Sequence, residues 1–316
     1  MKKVIVLLGP TGVGKTGASI LLAQELDTEI ISADSMQIYR GMDIGTAKPS
    51  KRELSLVKHN MIDIVGPTES YSAGQYIDAA TIIIEGLHNK GRIPIVVGGT
   101  GLYIKAMTRG LFSGPSADRG LRDELLSLEE SSAGSLYAYL VRLDAETAGK
   151  IQENDIRRIV RALEVCLKSR EKISVLREKL TNPLPYEFIK IGLTRERKEL
   201  YRIIDERVEK MFEAGFMEEA ETILGKSPDR TAMQAIGYKE LAMYLNKEID
   251  KDEAIRLIRR NTRRYAKRQF TWFKKEEEII WVDVTGIYES TGVFHSIKDA
   301  LLRVCPEVFL CSRDKR

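Results

Sequence analysis

The sequence predicts an α/β fold: a doubly wound parallel sheet, interrupted by a helical insertion domain and followed by a helical C-terminal region. Three observations carry the prediction. Four short apolar runs alternate with helical stretches before residue 100, a glycine loop joins the first run to the first helix, and from about Pro115 the pattern turns into charged helices. Alternation of strand and helix implies a parallel sheet with helices on both faces. Strands that are apolar throughout, rather than at every second residue, imply burial on both sides.

The elements follow in order. Val4–Leu8 is the first apolar run, and Gly9-Pro10-Thr11-Gly12-Val13-Gly14-Lys15-Thr16 matches the phosphate loop G-x-x-x-x-G-K-[ST]. Ala18–Leu26 then reads as a helix, so strand, loop and helix stand in the order this motif requires. The fold expected is therefore P-loop NTPase-like. Backbone N–H groups of the loop would cradle phosphate oxygens, Lys15 would add a point charge, and the Thr16 hydroxyl could hold Mg2+. ATP is one candidate for the bound phosphate. Glu29–Ala33, Met61–Ile64 and Ile93–Val97 are the next expected strands, with a helix at Tyr76–His88 between the last two. Residues 118–180 hold charged helical stretches and no convincing strand, and Phe188–Leu193 resumes the earlier style. The domains expected are thus 1–114 with 184–316 as the α/β core, and 115–183 as the insertion. Residues 195–225 and 250–275 read as helices, and Glu278–Val284 as one more strand, on a sheet edge.

Composition excludes several classes of function. The 316 residues are 43% hydrophobic and 30% charged with a net charge of +4, so binding of a polyanion must come from local patches. Cys166, Cys305 and Cys311 show no C-x-x-C spacing, which argues against a disulfide framework or thiolate metal site and for a reducing cytoplasm. The strand at Val4 leaves no room for a removable leader, and no apolar run approaches the length that spans a bilayer. The expectation is a cytoplasmic monomer with no obligate protein partner.

Ligands of doubly wound sheets bind beyond the carboxyl ends of the strands. That rule puts the phosphate loop, Asp34-Ser35-Met36-Gln37 and Gly98-Gly99-Thr100-Gly101 on one rim. Asp34 at the end of a strand suits proton transfer or metal contact, and equally suits a turn or helix cap. Where many P-loop NTPases place an aspartate after the strand, this chain has Gly98-Gly99, which would admit a bulky second substrate or simply make a tight turn. Residues 256–275 contain nine basic residues and no acidic one, with Arg263 and Arg264 on a broad face beside Arg256, Arg260, Lys267 and Arg268. Such an uncompensated helix is an electrostatic footprint for a phosphate backbone, while Phe270, Trp272 and Phe273 read as core. A smaller basic cluster, Arg157, Arg158 and Arg161, lies in the insertion. Arg207 reads only as part of a surface helix, and His59 as a structural histidine.

Together these stretches resemble the tRNA dimethylallyltransferases, isopentenyltransferases that act on adenosine 37 of the anticodon loop. The matching segments are GPTGVGKT at 9–16, ISADSMQIYRGMDIGTAKP at 31–49, VVGGTGLY at 96–103, NDIRRIVRALEV at 154–165, RVEKMFEAGF at 207–216, MQAIGYKEL at 233–241 and TRRYAKRQFTWFKK at 262–275. They span most of the chain in family order, and the block at 31–49 is the most discriminating. The resemblance implies that Asp34, Ser35, Met36 and Gln37 receive a flipped adenine and that Thr100 contacts tRNA beside it. It implies further tRNA contacts by Arg122, by Arg157, Arg158, Ile159, Val160 and Arg161, and by Arg263 and Arg264 in the 262–275 helix. Arg207 would engage the diphosphate. At Arg157 many relatives have glutamine, a change that keeps a donor and adds charge. The C-terminal zinc finger of eukaryotic relatives has no counterpart here, as in bacterial members.

The chemistry implied is transfer of a dimethylallyl group from dimethylallyl diphosphate to adenine N6, with Asp34 as base and with Lys15, Arg207, the loop amides and Mg2+ on Thr16 stabilising the leaving diphosphate. The partners implied are that donor and the tRNA anticodon stem-loop. No phosphoryl group moves, so no acid is needed to activate water after the fourth strand. The alternatives are a P-loop small-molecule or nucleotide kinase and a non-catalytic RNA-binding P-loop protein.

Overall fold

The computed structural model describes residues 2–112 and 114–310; Cys311 lies outside them. The chain divides into two units, one made of the chain up to Lys105 and again from Pro185 on, the other of Ala106–Leu184.

In the first unit, β1 (Lys3–Leu8) leads through the phosphate loop into α1 (Lys15–Glu25), followed by β2 (Ile30–Ala33), α2 (Lys51–Leu56), β3 (His59–Asn60), α3 (Ala73–Asn89) and β4 (Ile95–Gly98). Helix α4 (Gly101–Arg109) carries the chain into the second unit. There the pair β5 (Leu111–Phe112) and β6 (Thr181–Asn182) brackets α5 (Arg119–Ser131), α6 (Ser135–Leu143), α7 (Ala145–Ala148), α8 (Ile156–Ser169) and α9 (Ile173–Leu180). The first unit resumes with β7 (Glu187–Thr194), α10 (Arg197–Glu213), α11 (Phe216–Leu224), α12 (Tyr238–Leu245), α13 (Lys251–Phe273), β8 (Ile279–Asp283), α14 (Ser290–Val304) and α15 (Glu307–Leu310).

Six strands pair in parallel in the order β3-β2-β4-β1-β7-β8. Val4 to Leu8 are completely buried, as continuous apolar strands under two helical layers must be. Because β4 lies between β1 and β2, with Leu8 and Ala33 both opposite Gly98, the loops after these three strands stand side by side. This register assembles the rim.

One expectation is corrected. The third strand is His59–Asn60, not Met61–Ile64, because Met61 and Asp63 take left-handed φ values of 63° and 57°, which no extended ladder accommodates. The short antiparallel pair β5–β6 lies just outside residues 118–180, which hold only helices and turns, as expected. The edge position of β8 next to β7 is as expected.

The insertion unit has its own core, in which Leu136, Leu140, Ile159, Ala162, Leu163 and Val165 are fully buried. Glu164 is also fully buried, and three neighbours satisfy it. Arg122 forks onto it with two bonds of 2.9 Å, Arg161 reaches Oε2 at 2.5 Å, and the Asp118 amide donates to Oε1 at 2.7 Å. Burial alone would raise its pKa, but these donors, Arg122 foremost, hold it down at about 2.

Candidate active site

The phosphate loop leaves β1 and ends at Gly14, which caps α1 in a left-handed conformation (φ 106°) and offers no side chain to the first-turn N–H groups. Those donors and the helix dipole are therefore free for an anion. Lys15 folds over the loop, its Nζ donating to Gly9 O and Pro10 O at 2.8 Å each. Arg207 approaches from α10 and donates to Thr11 Oγ1 at 3.2 Å. Burial pushes the Lys15 amine down to about 7, Asp34 opposing and Arg207 adding to the shift; burial also lowers Arg207, again against Asp34. Among the described residues neither cation makes an ion pair. Two crowded basic groups without an ion-pair partner around one loop suit a polyvalent anion, which would favour their charged forms.

Asp34 follows β2. Its Oδ1 accepts from Met36 N (2.9 Å) and Gln37 N (3.4 Å), so one carboxylate oxygen closes a turn, and the other makes no hydrogen bond among the described residues. The turn role and the base role are thus compatible. Gln37 is fixed at both ends, Oε1 by Ser32 Oγ (3.2 Å) and Nε2 by Ala47 O (3.3 Å). The segment behind it is clamped twice. Lys48, almost wholly buried, meets Tyr39 O, Asp43 and Asp63 within 2.9 Å. Glu219 of α11 accepts from the amides of Asp43, Ile44 and Gly45 and from Tyr238 Oη. The block at 31–49 is therefore a wall held by Lys48 from within and by Glu219 from α11.

Lys15, Thr16, Arg207, Asp34, Ser35, Met36 and Gln37 all line one cavity of about 530 Å³. Its other lining is mixed, with apolar side chains such as Met211, Phe216 and Ile236 beside polar ones such as Thr262, Arg268 and Gln269. Thr100 does not line it. Its hydroxyl accepts from Ser35 N at 3.0 Å and so braces a residue that does. His59 lines the cavity and hydrogen-bonds Val57 O through Nδ1 at 2.8 Å.

A family model described as "IPP transferase" matches residues 37–276. A tRNA dimethylallyltransferase of Thermodesulfovibrio yellowstonii is 52% identical over 311 residues, covering 96% of this chain and 98% of that protein. The chain belongs to the IPP transferase family. The crystal structure of the tRNA isopentenylpyrophosphate transferase of Bacillus halodurans is similar at 40% identity and TM-score 0.70, covering 96% of this chain and 98% of that one. A eukaryotic dimethylallyltransferase described as acting on tRNA is similar at 30% identity and TM-score 0.82, covering 95% and 78%.

Against this family background several readings of the basic residues change. Helix α13 is not uncompensated: Arg256 pairs with Glu253, Arg259 with Glu209 and Arg263 with Asp205, the last two acids coming from α10. A local window could not see partners fifty residues away. Arg264, Lys267 and Arg268 make no ion pair among the described residues, and Arg268 lines the cavity. In the insertion, Ile159 and Val160 are core residues, so their side chains are not available to RNA. Arg122 and Arg161 are spent on Glu164, while Arg157 and Arg158 are exposed, Arg158 with an ion pair to Asp155. Trp272 is not core either; it is 38% exposed and its indole packs over Gly101.

The glycines after β4 also have an internal cause. A Cβ on Gly98 would overlap the Ala33 backbone, and one on Gly99 the Gln269 amide. Gln269, which motif reading passed over, bridges Thr11 N and Gly99 O. Its signal in the sequence was faint: a polar residue on the stripe of α13 that Ala254, Ile258, Ala266 and Phe273 bury.

Proposed function

We propose that this protein transfers a dimethylallyl group from dimethylallyl diphosphate to N6 of adenosine 37 in the tRNA anticodon loop, releasing diphosphate. The observation that carries the reading is one cavity with a P-loop and two basic groups without an ion-pair partner, Lys15 and Arg207, at one wall, Asp34 at another, and apolar side chains such as Met211, Phe216 and Ile236 in its lining. This arrangement suits a donor with an anionic head and an apolar tail, meeting an acceptor that must lose a proton.

The N6 lone pair is delocalised into the adenine ring, so the amine is a weak nucleophile. Asp34 accepts an N6–H hydrogen bond and takes that proton as the C–N bond forms. The allylic C–O bond breaks, and the electron pair leaves with the diphosphate. Lys15, Arg207 and the amides of the loop meet the charge that develops there. The apolar side chains of the lining keep water from the allylic carbon. The adenine must leave its stack, at a cost of a few kcal/mol that a single-stranded loop reduces. Phosphate contacts offset that cost: Arg264 and Lys267 on α13, and within the insertion unit Arg157 and Arg158.

Mg2+ is the metal of this reading. Among the described residues no three His, Cys, Asp or Glu gather into a protein cage. A single Thr16 hydroxyl beside a phosphate loop is the donor set of an ion bound mainly by substrate phosphates and water. Bound there, it would neutralise charge on the diphosphate. Among the described residues no helix is long and apolar enough to cross a membrane. Free buried thiols at Cys166 and Cys305 support a cytoplasmic site of action.

Incubation with labelled dimethylallyl diphosphate and unmodified tRNA should place label on adenosine 37; tRNA that stays unlabelled sinks the reading. Asp34→Ala should lower turnover by roughly 10²–10⁴-fold with little change in tRNA affinity. Binding that fell as far as the rate would remove Asp34 from the role of base.

A further inference from the structure

Gln269 has 5% of its surface exposed, in a helix whose other polar residues mostly face solvent. A buried amide needs partners for both its ends. Gln269 finds them in the two backbone segments that border the cavity: Oε1 accepts from Thr11 N at 2.9 Å, and Nε2 donates to Gly99 O at 3.0 Å. The absence of a side chain at Gly99 makes room for it. Thr11 is held a second time, through its hydroxyl, by Arg207. One side chain of α13 thus spans from the phosphate loop on β1 to the turn after β4, and that turn is tied through Thr100 to Ser35, next to Asp34.

We propose that Gln269 is a positioning residue that sets the spacing between the donor's diphosphate cradle and the Asp34 side, where the adenine is received. The inference rests on the function proposed above. Gln269 itself lines the cavity, but both ends of its amide are taken by the Thr11 amide and the Gly99 carbonyl, so its loss disturbs alignment more than either substrate's own contacts. Transfer rates fall steeply with misalignment, by about 10²-fold for a displacement near 1 Å.

The test is a single-turnover measurement on preassembled complexes of protein, labelled donor and tRNA, with the dissociation constant of each substrate measured separately. Gln269→Leu removes both bonds at similar size. It should lower the transfer rate by roughly tenfold or more while each dissociation constant stays within about threefold. Should that variant fail to fold, Gln269→Glu, which keeps the acceptor for Thr11 N–H, is held to the same criteria. A rate within about threefold of the wild type, or a loss accounted for wholly by weaker binding, overturns the role of Gln269. Absence of transfer by the wild type would instead overturn the functional reading, so the two failures are distinguishable.

Discussion

Lys15 shows how a single buried charge ties binding to pH. Burial sets its amine at about 7, below the ordinary lysine value of 10.5, so the unfolded chain binds more protons between these values and this group favours folding increasingly as pH rises from 7 to 10.5. A bound diphosphate reverses the preference by stabilising the ammonium. Below about 7 both free and bound protein hold the proton; above it the free protein has released it and binding takes it back. Calorimetry of diphosphate binding at pH 8, in buffers of different ionisation enthalpy, should show proton uptake by the protein. Lys15→Arg should abolish the uptake, and an unchanged uptake in that variant would assign the titration to another group. At this scale the sequence was most informative where a motif names its own chemistry, as the phosphate loop does. It was least informative for Gln269 and Glu219, whose partners are backbone amides and carbonyls that no side-chain pattern announces.

Helices α8 and α13 show that a run of arginines is not a count of free charges. On α13, Arg259 and Arg263 face acids of α10, whereas Arg264 and Lys267 make no ion pair among the described residues. Replacing Arg264 and Lys267 by Ala should lower the slope of log tRNA affinity against log salt by roughly one for each residue, and Arg259→Ala should leave it near the wild-type value. Equal slopes for both variants would mean that neither face meets phosphate. In α8 the buried carboxylate of Glu164 has a pKa near 2 against an ordinary 4.5, so its stabilisation is complete above 4.5 and is lost as pH falls toward 2. Glu164→Gln should cost about 2–3 kcal/mol, less than a fully buried pair because both arginines keep access to water. Thermal melts of the variant should show a shallower pH dependence between 4.5 and 2 than those of the wild type, other carboxylates supplying the rest. The strands β1, β2, β4 and β7 were legible because continuous apolar runs have one stable use in a sheet covered on both faces. β3 was not, since the backbone turns at Met61 and Asp63 are set by packing rather than by composition.

At the scale of the whole molecule, every residue lining the cavity comes from the chain before Lys105 or after Pro185. Donor at a hundred times its dissociation constant should stabilise that unit by about 2.7 kcal/mol. Hydrogen exchange should show the protection there and leave the amides of Ala106–Leu184 unchanged; equal protection in both units would mean that they unfold together. The strand order that assembles this cavity could not be read from the chain, because alternation of strand and helix is compatible with several orders. Its consequence reaches to the edge of the site. Trp272, half-exposed over Gly101 at the turn after β4, is one of only two tryptophans in the chain, and the other, Trp281, lies on the edge strand β8. The protein therefore carries its own optical probe at the rim. With Trp281→Phe removing the second emitter, a change of fluorescence on adding tRNA, at equilibrium or in stopped flow, would give a label-free record of its arrival at this rim, and no change would place the acceptor elsewhere.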